Sequence, residues 1–367
     1  MGFVILFVIV FGCACGFILF RRNRLPSYQG PSSDSPLKLS VIIPARNEEI
    51  NLPHLLESLL QQTLHPFEII VVDDCSEDRT RQIAENYGVT VIAGTSPPPG
   101  WTGKNWAVWN GYTRSAGDHL VFLDADIRLA PTALASLMKA MERKSGVISV
   151  VPYHHTVRLY EKLAMITNIL GVFAFTSPFE RTNASKGLYG ACIVASRDDY
   201  ERVNGHSSIK SEVLDDLFLG SQFMEAGIPV TNYIGYGLVS FRMYPHGIRS
   251  ELEGFSKGAV LSTSTLRPWT IVPTALWTLG LLVSSSALFL LGNAWAWPLW
   301  IGYALYMLQI AYFIRYVGKF GVLIPVLHAL SSLFFVVIML YSLYQVVVLR
   351  RVAWKGRHIQ VGGKRDR

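Results

Sequence analysis

Acidic residues follow two of the predicted strands, in positions suited to binding a nucleotide or a cation. Asp73 and Asp74 come directly after the second predicted strand, and Asp124 and Asp126 come directly after the fourth. Carboxylates at a strand end can accept hydrogen bonds from a base or a ribose, although Asp in such a place also caps helices. Two carboxylates two positions apart can share one Mg²⁺ or Mn²⁺ ion, which proteins usually hold through one or two carboxylates plus substrate phosphates.

Two further motifs supply a cation and a candidate base. Lys104 stands at the start of a predicted helix, where its ammonium group and the free backbone N–H groups can meet a phosphate. Asp215 and Asp216 also stand at a predicted helix start, and one of them can serve as a general base. Both motifs have a structural alternative, because surface lysines are common and acidic residues stabilise helix N-termini without any catalytic role.

These residues can act together only if the chain folds as a sheet that gathers them at one edge. Short apolar runs alternate with segments of helical spacing over residues 39–123. This alternation is typical of an α/β protein with a parallel sheet, in which ligands bind beyond the carboxyl ends of the strands. The predicted strands are Leu39–Ile43, Phe67–Val72, Val89–Ala93 and His119–Leu123, and the predicted helices cover 52–60, 78–87 and 104–116.

The composition indicates a protein that is partly embedded in a membrane. Of the 367 residues, 50% are apolar and only 16% are charged, and the mean hydropathy is +0.31. These values argue against an ordinary soluble protein and against a disordered chain. The net charge of +7 comes with basic residues that cluster beside the apolar segments, which is typical of cytoplasmic membrane flanks and predicts no nucleic-acid partner.

The apolar residues divide the chain into five segments. Arg21, Arg22 and Arg24 follow the apolar stretch Phe3–Phe20, so we expect an uncleaved anchor whose C-terminal side faces the cytoplasm; a cleaved signal peptide is the alternative. We expect a multi-pass protein of the plasma membrane with its catalytic domain in the cytoplasm. The segments are an N-terminal transmembrane anchor (1–25), a linker (26–37), a catalytic domain (38–267), a C-terminal membrane region of two or three spans (268–349) and a basic cytoplasmic tail (350–367).

The order of the motifs resembles that of the family 2 glycosyltransferases, which bind nucleotide sugars with the GT-A fold. A paired Asp, a Gly-Lys, an Asp-x-Asp and a downstream Asp-Asp follow one another between membrane segments, and the resemblance covers residues 39–258. Its most specific part is residues 42–49, IIPARNEE, which match the usual opening of that family. The resemblance implies a Rossmann-like GT-A fold, a UDP-sugar donor with glucose as the default sugar, and inversion at the anomeric carbon.

The resemblance also assigns a role to each motif. It implies that Asp216 is the general base, with Asp215 as the alternative, and that Asp124 and Asp126 hold a divalent Mg²⁺ or Mn²⁺ ion. Together with Lys104, this metal would stabilise the leaving diphosphate. The residues implied to bind the nucleotide sugar are Pro44, Arg46, Glu48, Asp73, Asp74, Lys104, Asn110 and Asp124.

One departure from the family pattern bears on the acceptor. Many members carry a Gln/Arg-x-x-Arg-Trp motif after the base, and this sequence has none. Its Phe-Arg-Met-Tyr at 241–244 and its Trp-Lys-Gly-Arg at 354–357 instead resemble the non-processive membrane enzymes that glycosylate lipids, above all those acting on a C30 carotenoid carboxylic acid. We therefore expect an apolar lipid or carotenoid acceptor and membrane lipids as partners. Arg242 and Lys257 are candidates for contacts with the acceptor or the diphosphate.

Several alternatives stay open at this point. The acceptor can be another lipid, such as a hopanoid, a ceramide, a diacylglycerol or a polyprenyl phosphate, and the protein can be a processive polysaccharide synthase or an inactive membrane scaffold. A carboxylic acceptor is already ionised at neutral pH, since carboxyl groups titrate near ~4–5 in water, so Asp216 would matter less as its base. The helical spacing of Leu159–Ser177 predicts either a helix on the membrane surface or a buried core helix.

Overall fold

The structure is a computed structural model in which the chain forms two compact units. The sheet unit consists of Asn23–Tyr153 and Ala184–Met243, and the helical unit consists of Met1–Arg22, His154–Asn183 and Tyr244–Arg367. Parts of the predicted linker and of the predicted basic tail lie outside the described residues. The structure describes residues 2–30, 38–212, 214–259, 263, 265–290, 293, 296–349, 351–354 and 357–360.

Strands and helices alternate through most of the sheet unit, and apolar helices make up most of the helical unit. The strands, in chain order, are β1 (Leu39–Ala45), β2 (Glu68–Asp73), β3 (Thr90–Ala93), β4 (His119–Leu123), β5 (Ile127–Leu129), β6 (Val147–Val151), β7 (Tyr153–His154), β8 (Cys192–Ser196), β9 (Val230–Ile234), β10 (Val239–Phe241), β11 (Arg351–Trp354) and β12 (Arg357–Gln360). The helices are α1 (Gly2–Leu19), α2 (Leu52–Leu60), α3 (Thr80–Asn86), α4 (Gly103–Arg114), α5 (Ala133–Lys144), α6 (Met165–Thr176), α7 (Arg197–Arg202), α8 (Asp215–Glu225), α9 (Ile248–Ala259), α10 (Pro268–Ser285), α11 (Trp297–Val317) and α12 (His328–Tyr344).

The sheet unit is built on a seven-stranded sheet in the order β3–β2–β1–β4–β8–β6–β9. Every strand of this sheet runs in the same direction except β8, which pairs antiparallel with β4 and β6. This architecture confirms the predicted mainly parallel α/β fold. The strand order reverses between β1 and β4, and such a reversal opens a crevice at the carboxyl ends of the strands.

The central strand is held by burial on both of its faces. Val41, Ile42 and Ile43 of β1 are fully buried, as expected for a β-branched run in the middle of a parallel sheet. The register sets Val41 beside Ile69 of β2 and Val121 of β4. The carboxyl ends of β1, β2 and β4 are therefore neighbours, and the acidic motifs that follow β2 and β4 emerge at the same edge of the sheet.

The helical unit packs its N-terminal helix through two glycines. A Cβ atom on Gly12 would lie 2.6 Å from the carbonyl oxygen of Leu276 in α10, and one on Gly16 would lie 2.5 Å from the indole of Trp277. Small residues at such positions let apolar helices approach closely. The side chain of Gln309 in α11 adds a polar connection, because its Nε2 donates to the carbonyl oxygen of Cys13 at 2.7 Å. Helix α1 is thus an integral part of this unit.

Five helical segments among the described residues are long and apolar enough to cross a membrane. The segment Tyr160–Glu180 contains nearly all of Leu159–Ser177, which the sequence predicted to be either a helix on the membrane surface or a buried core helix. Within it, Phe173 of α6 is fully buried and meets the rings of Trp277 and Phe313 edge-on, at 5.2 and 5.7 Å. Because α6 is apolar on most sides, it packs in the helical unit and interrupts the predicted catalytic domain. The five segments are Gly2–Leu19, Tyr160–Glu180, Pro268–Phe289, Trp297–Val317 and His328–Leu349.

Candidate active site

The loops after β1 and β2 are joined to each other by hydrogen bonds. The Nη1 atom of Arg46 donates to the carbonyl oxygen of Asp74 at 2.9 Å, and the backbone N–H of Asp74 donates to Ala45 at 2.8 Å. Asn47 adopts a left-handed conformation (φ +53°), and its N–H donates to Oγ of Ser76 at 3.0 Å. Both loops are therefore held as one firm edge, with the side chain of Asp74 buried in it.

Glu48 and Asp73, two further predicted nucleotide-binding residues, make contacts inside this edge. The Oε2 atom of Glu48 accepts from Nδ2 of Asn51 at 3.0 Å, and Oδ1 of Asp73 accepts from the backbone N–H of Ser76 at 3.2 Å. Pro44 lies within β1 and is half-buried. These contacts show how the residues shape the two loops, and their predicted role in nucleotide binding stays a prediction.

The loop after β4 carries the two carboxylates of the Asp-x-Asp motif. The N–H of Asp124 donates to the carbonyl oxygen of Ala191 at 3.0 Å, which fixes the point where the strand ends. The carbonyl oxygen of Asp126 accepts from the N–H of Arg242 at 3.2 Å, because β5 and β10 pair antiparallel just beyond the motif. The small antiparallel pair thus brings the backbone of Arg242 beside Asp126.

Lys104 joins carboxylates from two distant parts of the sequence. Helix α4 begins at Gly103, with Oγ1 of Thr102 accepting from the N–H of Asn105 at 3.4 Å. From this first turn, Nζ of Lys104 lies 3.0 Å from Oδ1 of Asp124 and 3.4 Å from Oδ2 of Asp215. The predicted phosphate-binding lysine, the Asp-x-Asp motif and the acidic pair therefore meet in one cluster.

The charge state of Lys104 follows from this cluster. Burial by itself would lower the pKa of the ammonium group, but attraction from Asp124, Asp215 and Asp216 outweighs burial and raises the pKa above its usual value. Lys104 consequently keeps its positive charge throughout the physiological pH range. A fixed cation at a helix N-terminus is suited to binding a phosphate or diphosphate group.

The two acids at the start of α8 have different surroundings. Asp215 is buried and pairs with Lys104, whereas Asp216 is only partly buried. The Oδ2 atom of Asp216 accepts from the N–H of Gly190 at 3.1 Å. A Cβ atom at position 190 would lie 3.0 Å from Cβ of Asp216, so glycine lets this backbone approach closely. Asp216 is thus oriented by a backbone donor and is partly exposed.

The Asp-x-Asp carboxylates suit a divalent cation that also binds a substrate. Among the described residues, no group of three or more His, Cys, Asp or Glu side chains is arranged to hold a metal ion. Asp124 and Asp126 offer two carboxylates at one strand end, a donor set that suits Mg²⁺ or Mn²⁺ when diphosphate oxygens supply further ligands. The residues fit a metal that arrives with a nucleotide diphosphate.

Two further predicted site residues lie on helices α4 and α9. Asn110 lies six residues beyond Lys104 on α4, which is about 9 Å along the helix axis. Its Nδ2 donates to the carbonyl oxygen of Trp106 at 2.9 Å, and its Oδ1 accepts from Arg114 at 3.3 Å. Lys257 lies near the end of α9 in the helical unit.

Three further residues bound the cluster and were not singled out from the sequence. They are Gly190, the fully buried Asn105, and His206, whose Nδ1 lies 2.7 Å from the hydroxyl of Tyr200. Burial lowers the pKa of His206 to about 4. Asp215 raises this pKa by a smaller amount, and Lys104 lowers it by a smaller amount. His206 is therefore neutral at physiological pH. A glycine, an asparagine and a histidine without characteristic spacing give no motif, so only the fold could identify them.

Comparison with known proteins gives a family match and full-length relatives. Residues 40–203 match the family described as Glycosyl transferase family 2. A 4,4'-diaponeurosporenoate glycosyltransferase from Staphylococcus haemolyticus (strain JCSC1435) is 34% identical over 371 residues, covering 94% of this chain and 95% of the relative. The enzyme of the same name from Staphylococcus aureus (strain USA300) is 32% identical over 364 residues and covers 96% of both chains.

A solved structure shares the fold at low sequence identity. It is the mannosyltransferase PcManGT from Pyrobaculum calidifontis in complex with GDP-Man and Mn²⁺. The TM-score is 0.56 with 15% sequence identity, and the match covers 94% of this chain and 99% of the other. At this level of identity the likeness concerns the fold alone.

Proposed function

This chain belongs to glycosyl transferase family 2, and from that membership we propose that it transfers one glucose unit from UDP-glucose to a C30 carotenoid carboxylic acid, forming a glycosyl ester. The chain is a nucleotide-sugar-dependent transferase with the GT-A fold. The proposed acceptor rests on one observation: the chain is 32–34% identical, over nearly its full length, to glycosyltransferases named for 4,4'-diaponeurosporenoate.

We place the donor along the edge formed by the carboxyl ends of β1, β2 and β4. The uridine would face Arg46 and Asp74, in the joined loops after β1 and β2. The diphosphate would face Lys104, whose retained charge and position at the N-terminus of α4 both favour an anion. A diphosphate bound there would be a further anionic partner for Lys104, beside Asp124 and Asp215.

Asp124 and Asp126 are the residues that would hold a divalent cation. When bound, the cation would neutralise the negative charge that develops on the departing UDP. Lys104 contributes to the same task from the opposite element, because its ammonium group needs no reorganisation to stay charged. The divalent cation bound by the mannosyltransferase of similar fold is Mn²⁺, which is compatible with this donor set.

The acceptor oxygen would attack the anomeric carbon from the side of Asp216. The bond from that carbon to the diphosphate breaks as the new ester bond forms, so one displacement inverts the configuration and releases UDP. Asp216 suits the base position because it is partly exposed and held by Gly190, whereas Asp215 is engaged with Lys104. With an ionised carboxylic acceptor, Asp216 would mainly orient the attacking group.

A membrane would supply this apolar acceptor, and the helical unit suits a membrane. Large apolar side chains such as Phe7 of α1 and Leu333 and Leu340 of α12 are exposed, which is expected where lipid covers a helix. The guanidinium of Arg22 lies 5.2 Å from the ring of Tyr312 and 5.6 Å from that of Tyr316, an arrangement typical of a membrane–water interface. We propose that this interface faces the cytoplasm of a plasma-membrane protein.

A panel of donors and acceptors tests the proposed function. Membranes from a carotenoid-free host that expresses the full chain would receive UDP-glucose, UDP-GlcNAc or GDP-mannose with Mg²⁺ or Mn²⁺. The acceptors would be a C30 carotenoid acid, the matching C30 alcohol and a total lipid extract. We expect one hexose on the acid with UDP-glucose. Transfer to the lipid extract but not to the acid would contradict the proposed acceptor. Preference for another donor would contradict glucose as the transferred sugar.

A further inference from the structure

One buried asparagine holds the segment that leads into the acidic helix. Asn105 is fully buried in the first turn of α4, next to Lys104. Its Nδ2 lies 2.8 Å from the carbonyl oxygen of Ile209, 3.3 Å from that of Lys210 and 3.2 Å from that of Glu212. A single amide group therefore collects three carbonyls of residues 209–212, which precede the Asp215–Asp216 pair.

The oxygen atom of the same amide group has no comparable hydrogen bonds within the part of the chain that the structure describes. Among the described residues, Oδ1 of Asn105 is buried without a hydrogen-bond partner. Reversing the amide would set Oδ1 against three carbonyl oxygens, so the observed orientation is the favourable one. A buried polar atom without a partner is costly, and such local costs are concentrated at functional sites. The contribution of Asn105 to the site must therefore come from the hydrogen bonds that its Nδ2 donates to residues 209–212.

The contact fixes two parts of the site relative to each other. The N–H of Thr102 donates to the carbonyl oxygen of Lys210 at 2.8 Å, so the start of α4 holds the same segment at a further point. Lys104 then reaches Asp215 at 3.4 Å. Lys104 and the acidic pair belong to helices that are far apart in sequence, and the contacts of α4 with residues 209–212 support the direct contact between Lys104 and Asp215.

We propose that Asn105 is a positioning residue for the transfer reaction: by binding residues 209–212 it sets Asp215 and Asp216 against Lys104, and it acts on turnover rather than on donor binding. This inference rests on the proposed function, because it assigns Asp216 to the reacting side of the acceptor. Asn105 itself is fully buried, so it acts through residues 209–212 and not by touching a substrate.

Two variants of Asn105 and one matched control test the inference. Asn105→Asp keeps the shape, removes both N–H donors and sets a carboxylate against three carbonyl oxygens, while Asn105→Ser retains one donor and is the milder change. The control is Gln62→Glu, because Gln62 is also buried and its Nε2 donates at 2.8 Å to the carbonyl oxygens of Ser58, in α2, and Ala130, just after β5. Each full-length protein in detergent would be compared for kcat, KM for UDP-glucose, UDP affinity and amide hydrogen exchange over residues 205–220.

With the C30 alcohol as the acceptor, we expect Asn105→Asp to lower kcat at least tenfold, with UDP affinity and KM for the donor within about twofold of wild type, and to speed exchange over 205–220. Asn105→Ser should recover part of kcat, and Gln62→Glu should leave the kcat of the folded protein unchanged. Equal losses for Asn105→Asp and Gln62→Glu, a fall in donor affinity that matches the fall in kcat, or unchanged exchange would overturn the inference. If the wild type bound no UDP, the proposed function would fail, and the exchange result would still show whether Asn105 holds residues 209–212.

Discussion

The Nζ atom of Lys104 lies 3.4 Å from Oδ2 of Asp215, although the two residues stand in the first turns of different helices. The same Nζ lies 3.0 Å from Oδ1 of Asp124. One lysine therefore connects the loop proposed to hold the metal with the helix proposed to hold the base. The contact also distinguishes the two acids of α8, because it engages Asp215 and leaves Asp216 oriented by Gly190.

Removing the lysine should change the binding of both the nucleotide and the metal. Lys104→Met is expected to weaken UDP binding about 10- to 100-fold, the usual range for losing a hydrogen bond to a charged group. The same variant should bind Mn²⁺ more tightly when no nucleotide is present, because Asp124, Asp215 and Asp216 would no longer be neutralised. Calorimetry with UDP and paramagnetic resonance of free Mn²⁺ measure the two effects.

The control for Lys104→Met is Lys139→Met, which removes a positive charge that pairs with Glu142 on the surface at 2.6 Å. This variant should leave both affinities at the wild-type level. Unchanged UDP and Mn²⁺ binding in Lys104→Met would refute the assignment of Lys104 to the diphosphate.

The role of Asp216 should depend on the acceptor. Asp216→Asn is expected to lower kcat on a hydroxyl acceptor by about 10²–10⁴-fold, the range typical of a lost general base. The loss on a carboxylic acceptor should be much smaller, because that acceptor is already ionised at neutral pH. Turnover of a C30 acid and of the matching C30 alcohol gives the comparison, and an equal loss on both acceptors would contradict it.

Adding one methyl group beside the base should impair turnover without affecting donor binding. Gly190→Ala would place Cβ 3.0 Å from Cβ and 3.2 Å from Oδ2 of Asp216, so the carboxylate must shift. With the C30 alcohol as the acceptor, we expect kcat to fall about tenfold, since a misplacement of ~1 Å can cost ~10²-fold in rate and the shift needed here is smaller. Gly171→Ala is the control because a Cβ there meets nothing within 4 Å. A wild-type kcat in Gly190→Ala would show that the close approach is unimportant.

The stability of the helical unit should depend on pH through Glu251. Burial, and to a smaller extent Glu161, raise the pKa of Glu251 from 4.5 to about 8. Between these two values the folded state keeps a proton that the unfolded state has lost, so stability should fall as the pH rises from about 4.5 towards about 8. Glu251→Gln keeps the neutral shape and should stabilise the protein at pH ~8.5 by on the order of 2 kcal/mol, with little effect at pH ~5.

Thermal unfolding in detergent at both pH values measures the effect of Glu251→Gln. The matched control is Glu253→Gln on the same helix, because Glu253 pairs with Arg249, whose side chain is almost fully exposed. That control should change stability by the same small amount at both pH values. A stabilisation by Glu251→Gln that is equal at the two pH values would rule out the titration of Glu251 as its cause.

Much of the sheet could be predicted from the sequence because local patterns encode it. The four strands predicted between Leu39 and Leu123 all form, since a β-branched apolar run bounded by polar residues has few alternatives in a parallel sheet. The apolar stretch Leu159–Ser177 was ambiguous for the same physical reason. A helix that is apolar on most sides can be covered by lipid or by protein, and the sequence does not say which surface covers it.

The site could be predicted only in part, because its geometry depends on long-range contacts. Lys104, Asp124 and Asp215 each stand in a recognisable motif, but their meeting requires the start of α8 to reach the start of α4. Asn105 and Gly190 have no motif: one acts through carbonyls of a distant segment, and the other through the absence of a side chain. Asn110 stands in the family pattern, yet its side chain bonds within its own helix.

The product of a single transfer shows both how many sugars the protein adds and with which stereochemistry. Full-length protein in lipid nanodiscs would be supplied with UDP-glucose, Mn²⁺ and one C30 carotenoid acid, and the product's mass and anomeric configuration would be determined for wild type, Asp126→Ala and the exposed-residue control Asp198→Ala. We expect one hexose in an ester of inverted configuration, formed by wild type and Asp198→Ala and lost in Asp126→Ala. Retained configuration, a chain of several hexoses, or undiminished transfer by Asp126→Ala would contradict this expectation.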